Sequence, residues 1–265
     1  MQTLSYFHMV ENICKFMTCR SNSHINSFKI TAPNAMLNGV HTEIATCYIK
    51  PISEGNIDYY NFEILNFNDI GTTNIVNLLD MFNPSNAGSA YLNFLPSDNK
   101  DTNYINIIKI KEICAALECE LSYVALDDSE SNELKLLKKL IRKVIKYHKI
   151  SEYALKKTKT YDRILGEMKY WNLSLADKLS VISEKYNYIL INVGSSFGFN
   201  FFATYEDISD FVRLRNNNSH GRFTKVSKKQ AETAYWMIGL IYCCVLSRIG
   251  LNSEEIQKSV LKILR

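Results

Sequence analysis

The residues whose types and spacing could do chemistry lie between positions 212 and 221, where the chain reads Val-Arg-Leu-Arg-Asn-Asn-Asn-Ser-His-Gly. A histidine can move protons near neutral pH, a guanidinium can bind a phosphate, and an amide can orient either group. On a helix, Asn216 and His220 are four residues apart and share a face, and the long stem of Arg215 can reach the same point. Arg213, seven residues before His220, also points that way. The run therefore offers the groups of a site that acts on a phosphate.

A helix must position these groups, and its start and end are marked. Thr204 and Asp207 have the spacing of a capping box, and Gly221 is typical of a left-handed C-terminal cap. The predicted inward stripe starts apolar and turns polar, at Ile208, Phe211, Val212, Arg215, Asn216, Ser219 and His220. Burying such polar groups without partners costs several kcal/mol, so we expect partners or a substrate to satisfy them.

The sequence Arg215-Asn216-x-x-x-His220 at the end of a helix resembles the RNA-cleavage motif of HEPN domains. That motif has an arginine, a polar residue and then a histidine after four to six intervening residues, and Arg213 fits the longer spacing. The resemblance covers roughly residues 100–265 and is closest to the ApeA-like abortive-infection group. Those proteins carry a β-rich N-terminal region before a C-terminal HEPN domain.

This resemblance implies a metal-independent endoribonuclease with no cofactor, acting in anti-phage defence on RNA such as transfer RNA. Arg215, Asn216 and His220 are its expected catalytic residues. Because HEPN domains pair and pool two motifs, it also implies a homodimer. The expected substrate-binding residues are Arg213, Asn217, Ser219, Lys139, Arg142 and Lys143.

Two alternatives stay open for the motif. Arg215 or His220 could be a structural cation at a helix end, where positive charge is favoured. The domain could also be a non-catalytic interaction module or the toxin partner of a nucleotidyltransferase antitoxin. A salt bridge that ties Arg215 inside the chain, away from His220, would favour the module. A third interpretation treats the N-terminal region as a sensor for a phage-derived trigger.

Charge is spread unevenly along the chain. Residues 1–100 carry a net charge of −3, residues 101–265 carry +7, and ten Lys or Arg lie between positions 134 and 159 against the single acid Glu152. Clustered cations suit a nucleic acid, because binding releases counterions. A solvated helix face has the same pattern, so both interpretations remain. The predicted inward stripe of this helix is Leu134, Leu137, Ile141 and Val144.

The hydrophobic periodicity predicts an α+β protein, with a small β-rich region at 1–100 and an all-α up-and-down helix bundle at 101–265. Strands are expected at 25–32, 43–52 and 59–67. The seven cysteines show no zinc-binding spacing, which indicates no metal site. Reduced cysteines, with no signal peptide and no apolar run long enough to span a bilayer, favour a cytoplasmic protein without membrane contact.

Overall fold

The computed structural model describes most of the chain. The described residues are 2–21, 23, 27–33, 39–48, 65–83, 90–97, 101, 104–124, 131–150, 158–168, 173–196, 202–219 and 225–264.

Within these residues the protein has ten helices and one two-stranded antiparallel sheet, a mostly helical architecture compatible with the α+β class. The elements in chain order are α1 (Gln2–Thr18), β1 (Ser27–Pro33), β2 (His41–Tyr48), α2 (Phe67–Ile70), α3 (Thr72–Met81), α4 (Ile107–Leu121), α5 (Asn132–Ile150), α6 (Thr158–Glu167), α7 (Leu175–Ser196), α8 (Tyr205–Ser219), α9 (Lys228–Ile249) and α10 (Ser253–Leu264).

Helix α9 is the centre of the core. It is apolar on nearly every side, and it packs against α3, α4, α7, α8 and α10. Its neighbours α7, α8 and α10 are consecutive with it along the chain. At Gly239 a neighbouring side chain, Leu190, comes so close that an added Cβ would lie 2.9 Å from its Cδ2 atom. A glycine there allows α7 to approach α9 closely.

The N-terminal helices join this same core. The ring of Phe16 on α1 lies 4.6 Å from that of Tyr242 on α9, whose hydroxyl donates a hydrogen bond to the Phe16 carbonyl at 2.9 Å. Tyr91 and Phe94 are also buried in the cluster that holds the α4 and α9 side chains. Among the described residues, the predicted boundary at position 100 therefore does not separate two hydrophobic cores.

The strands form a hairpin in which Ser27 pairs with Tyr48 and Pro33 with His41. These strands match two of the three predicted ones, and most of the third falls outside the described residues. The side chains of Val40 and Ile44 are exposed. In the described part of residues 1–100 the two strands are accompanied by the helices α1, α2 and α3.

Helix α8 begins where the sequence predicts. Thr204 and Asp207 form the predicted capping box before α8, with the backbone N–H and hydroxyl of Thr204 both 3.0 Å from the Asp207 carboxylate. Ser174 and Asp177 do the same before α7. The predicted C-terminal cap at Gly221 lies outside the described residues.

Helix α5 packs differently from the prediction. Leu134 and Ile141 are partly buried as expected, but Leu137 and Val144 are exposed, while Ile145 and Lys138 are buried. The inward face is therefore rotated from the predicted stripe. Helix α5 contacts the short helix α6. No described helix combines the length and the apolarity needed to cross a membrane.

Candidate functional site

The predicted catalytic run lies in the second half of α8, and α8 is held on three sides. It packs against α4, α7 and α9, with Ile208, Phe211 and Leu214 buried at these contacts. The apolar beginning of the predicted stripe is therefore confirmed. Because three helices fix α8, the backbone that carries Arg215 and Asn216 is firmly placed.

Arg215 meets a carboxylate from α4. Its Nη2 atom donates to both oxygens of Glu118, at 2.7 and 2.9 Å. The side chain of Arg215 is 30% exposed and that of Glu118 is 43% exposed, so the ion pair lies at the edge of the protein and is in contact with solvent. A salt bridge that holds Arg215 within its own chain, away from His220, would favour a non-catalytic module. The salt bridge is present, and the position relative to His220 is not described.

Asn216 completes a small polar cluster with this pair. Its Oδ1 atom accepts a hydrogen bond of 3.1 Å from Nη1 of Arg215. One terminal nitrogen of the guanidinium is therefore oriented by a carboxylate and the other by an amide. Asn216 is exposed, and this overturns the prediction that it continues the inward stripe of α8. It lies on the solvent side of Arg215 and orients the guanidinium from there.

The last turn of α4 explains why Glu118 binds an arginine. Glu118 and Glu120 both lie at the C-terminal end of this helix, where the helix dipole disfavours negative charge. Each is compensated by an arginine from another helix. Arg248 of α9 donates to Glu120 at 2.7 Å, and the hydroxyl of Tyr91 donates to the same oxygen at 2.5 Å. Glu120 is 1% exposed, so this second pair belongs to the core.

A thiol lies beneath the first pair. Cys114, one turn before Glu118 on α4, is buried. Burial raises the pKa of this thiol to about 12, an effect that nearby Arg215 opposes and Glu118 reinforces. The thiol is therefore protonated at neutral pH and cannot serve as a nucleophile. All six cysteines whose side chains are described are free.

Arg213 does not join the cluster. Residues two positions apart on an α-helix are rotated by about 200° around its axis, so Arg213 and Arg215 lie on nearly opposite faces of α8. Arg213 is 70% exposed, and its Nη2 atom lies 2.7 Å from Asp210 on the same helix. Arg213 therefore does not meet Glu118 as Arg215 does. Whether Arg213 points toward His220, which lies outside the described residues, stays a prediction. Asn217 is partly buried in the same turn of the helix.

The three predicted substrate-binding cations of α5, Lys139, Arg142 and Lys143, are exposed. Helix α5 packs mainly against α6, whereas α8 packs against α4, α7 and α9. The cations are thus available to a ligand, and they are carried by a different helix from Arg215.

Part of the predicted site is not described. His220 lies outside the described residues, and so does the side chain of Ser219. Whether Arg215 and His220 share one face therefore stays a prediction. Among the side chains that the structure describes, no group of three or more His, Cys, Asp or Glu is arranged to hold a metal ion.

Glu118 is the residue of this cluster that the sequence prediction missed. A signal was present, because two acids in the last turn of a helix oppose its dipole and call for cationic partners. The sequence offered several basic residues as candidates. Only the packing of α4 against α8 and α9 selects Arg215 for Glu118 and Arg248 for Glu120.

Comparison with protein-family models, with curated proteins and with solved structures finds no match to this chain. The resemblance to HEPN domains therefore stays an expectation that rests on the sequence motif from Arg215 to His220.

Proposed function

We propose that this protein is a metal-independent endoribonuclease of the HEPN type. The observation that carries the proposal is the geometry of Arg215, which Glu118 and Asn216 hold at the solvent edge of α8. A guanidinium in this position is pre-oriented, so it loses less freedom on binding a phosphate than a mobile side chain would.

The proposed reaction uses the ribose 2′-hydroxyl as the nucleophile. It attacks the adjacent phosphorus, the bond to the 5′ oxygen of the next nucleotide breaks, and a 2′,3′-cyclic phosphate and a 5′-hydroxyl end result. His220 transfers the protons, and Arg215 stabilises the negative charge on the phosphoryl oxygens. Asn216 orients Arg215. Single-stranded loops are the preferred substrates, because their backbone can reach the in-line geometry and their bases can turn outward.

Glu118 has a defined part in this proposal. It orients the guanidinium, but it also neutralises part of the charge that a phosphate would bind. RNA must therefore share Arg215 with Glu118 or displace the carboxylate. The pair lies at the surface, where such an ion pair contributes about 1 kcal/mol or less, so displacement is energetically accessible.

The cellular setting follows the resemblance. We expect a cytoplasmic homodimer whose two motifs form one composite site, acting in abortive infection on RNA such as transfer RNA. Lys139, Arg142 and Lys143 would hold the RNA backbone at a distance from the reacting phosphate. A phage-derived trigger or an antitoxin would restrain or release the activity. Sedimentation at micromolar concentration tests the dimer, and a monomer there would contradict it.

A non-catalytic interaction module is the second candidate, and the Arg215–Glu118 salt bridge is the observation that favours it. In that case Arg215 is a structural residue that joins α8 to α4. The motif would then have no catalytic role, and the chain would act by binding a partner protein.

The test is a cleavage assay with a transfer-RNA pool in excess EDTA. Wild type, Arg215→Ala and His220→Ala are compared, and Arg163→Ala is the control because Arg163 is an exposed arginine on α6 that also pairs with a glutamate. Cyclic-phosphate ends produced by wild type and by Arg163→Ala alone support the ribonuclease. If neither wild type nor any variant cleaves RNA, the toxicity of expressing wild type and His220→Ala in cells distinguishes the two functions. A nuclease should lose its toxicity with His220→Ala, and an interaction module should not.

A further inference from the structure

Helix α5 exposes an apolar surface that the motif site does not use. Leu137, Leu140, Val144 and Tyr147 follow one another at spacings of three, four and three residues, and they are between 46% and 77% exposed. Leu136 adds to the same side and is 65% exposed. We call the four residues Leu137, Leu140, Val144 and Tyr147 the α5 seam.

The α5 seam is distinct from the face that holds the helix in the protein. The inward face consists of Ile145 and Lys138, which are buried, and Leu134 and Ile141, which are partly buried. This face lies next to the α5 seam around the helix axis. Its packing is mainly against α6, where Ile164 and Leu165 are partly buried. A surface ribbon of leucines beside an already packed face is typical of a binding site for a partner.

The spacing of the α5 seam identifies the shape of that partner. Apolar residues alternating at three and four positions are the a and d positions of a helix that packs side by side with another helix. The four residues therefore provide a seam of two heptads. A second helix with the same spacing would fill it.

The charges beside the α5 seam identify the partner's chemistry. Lys139, Lys143 and Lys146 are exposed along one side, and residues 134–150 contain no aspartate or glutamate. A partner helix with acids beside its apolar stripe would complement them. A second copy of α5 would instead place lysine against lysine, which disfavours self-association. An RNA backbone would bind the lysines but would leave the leucines without apolar contacts.

We infer that the α5 seam binds an acidic amphipathic helix of a partner protein. The leucines supply the buried apolar surface, and the lysines select an acidic helix and set its orientation. Such a helix would use Lys139 and Lys143, which the proposed RNA contact also uses, so the helix and RNA would compete for these two lysines. The α5 seam would bind the helix whether or not the chain cleaves RNA.

The test measures binding of a synthetic helical peptide to the full chain by fluorescence anisotropy. The probe is a labelled peptide of roughly three heptads with leucine at a and d and glutamate at e and g. One control peptide has the same composition in scrambled order, and another has lysine in place of glutamate. We expect the acidic peptide to bind at least about tenfold more tightly than either control.

Two double variants separate the apolar and charged contributions. Leu140→Ser with Val144→Ser should weaken binding of the acidic peptide by about tenfold or more. Lys139→Glu with Lys143→Glu should weaken binding of the acidic peptide and strengthen binding of the lysine peptide. The matched control is Ile108→Ser with Val181→Ser, since both residues are exposed and apolar on other helices, and its affinity should stay within about twofold of wild type. Circular dichroism checks that each variant is folded.

Three results would overturn the inference. Equal binding of the acidic and the scrambled peptide would show that no helical seam is recognised. Dimerisation that Leu140→Ser with Val144→Ser abolishes would assign the surface to a second copy. Binding to vesicles of phosphatidylglycerol and phosphatidylcholine that depends on Leu140 and Val144, without peptide binding, would assign it to a lipid surface.

Discussion

Arg215 and Glu118 are 97 residues apart in sequence, yet Nη2 of the arginine lies 2.7 and 2.9 Å from the two carboxylate oxygens. This contact joins the last turn of α4 to the second half of α8, where the only Arg-Asn-x-x-x-His run of the chain begins. Both functions proposed for the chain depend on it, and they assign it opposite roles. In the ribonuclease it orients a catalytic guanidinium, and in the interaction module it is a structural tie.

Replacing either partner should separate these roles in a cleavage assay. Arg215→Ala should lower kcat by about a hundredfold or more, because it removes a donor to the developing phosphoryl charge. Glu118→Gln keeps the guanidinium and should retain cleavage within about tenfold of wild type. A loss as large in Glu118→Gln as in Arg215→Ala would mean that the carboxylate is itself essential, contrary to the role proposed for it.

Glu118 and Glu120 form a matched pair for stability, because both lie in the same turn of α4 and bind an arginine. Glu118→Gln should change the free energy of unfolding by about 1 kcal/mol or less, since its ion pair is solvated. Glu120→Gln should cost about 2 kcal/mol or more, because it leaves Arg248 and Tyr91 without the buried carboxylate. Urea unfolding at neutral pH measures both. Equal costs would show that burial does not distinguish the two pairs.

Asp177 should make the stability of the protein depend on pH in the acid range. The Ser174 hydroxyl, at 2.6 Å, lowers the pKa of this carboxyl, and the Ser174 N–H and the Tyr205 hydroxyl lower it further. A depressed folded pKa stabilises the folded state above the unfolded pKa of about 3.9, and this stability is lost as the pH falls through the folded pKa.

The measurement is the urea midpoint of wild type and Asp177→Asn at about pH 5 and about pH 3. Wild type should lose more stability than the variant over this interval, because the asparagine does not titrate. Ser174→Ala should show an intermediate loss, since it removes the nearest donor and leaves the carboxyl in place. Identical slopes for all three proteins would rule out a contribution from Asp177.

Gly250 should be sensitive to substitution, because its φ of 114° lies in the left-handed region. Its N–H bonds to the carbonyl of Ser247, and the next N–H bonds to that of Leu246, so this conformation closes the end of α9. Gly250→Ala should lower the free energy of unfolding by about 1–2 kcal/mol. An added Cβ would also lie 2.8 Å from Oδ1 of Asn74.

Gly166 is the control for this change, because it is in helix α6 and nothing lies within 4 Å of an added Cβ. Gly166→Ala should leave stability unchanged or raise it by up to about 1 kcal/mol, since alanine favours the helix. Thermal unfolding of the two variants measures the contrast. A Gly250→Ala protein as stable as wild type would contradict the strain assigned to this cap.

The sequence by itself determined the local structure of this protein. Side chains one to three residues apart decide where a helix begins, so Thr204 with Asp207 was predicted correctly as a capping box. The apolar stripe from Ile208 to Phe211 followed from helical periodicity in the same way.

Only the tertiary structure decided which distant groups meet. The Arg215–Glu118 and Arg248–Glu120 pairs arise because α4 packs against both α8 and α9, and periodicity within one helix carries no information about the neighbouring helix. The same reason explains α5. Its sequence shows a broad apolar face, but only the tertiary packing decides that Ile145 is buried and Leu140 is exposed.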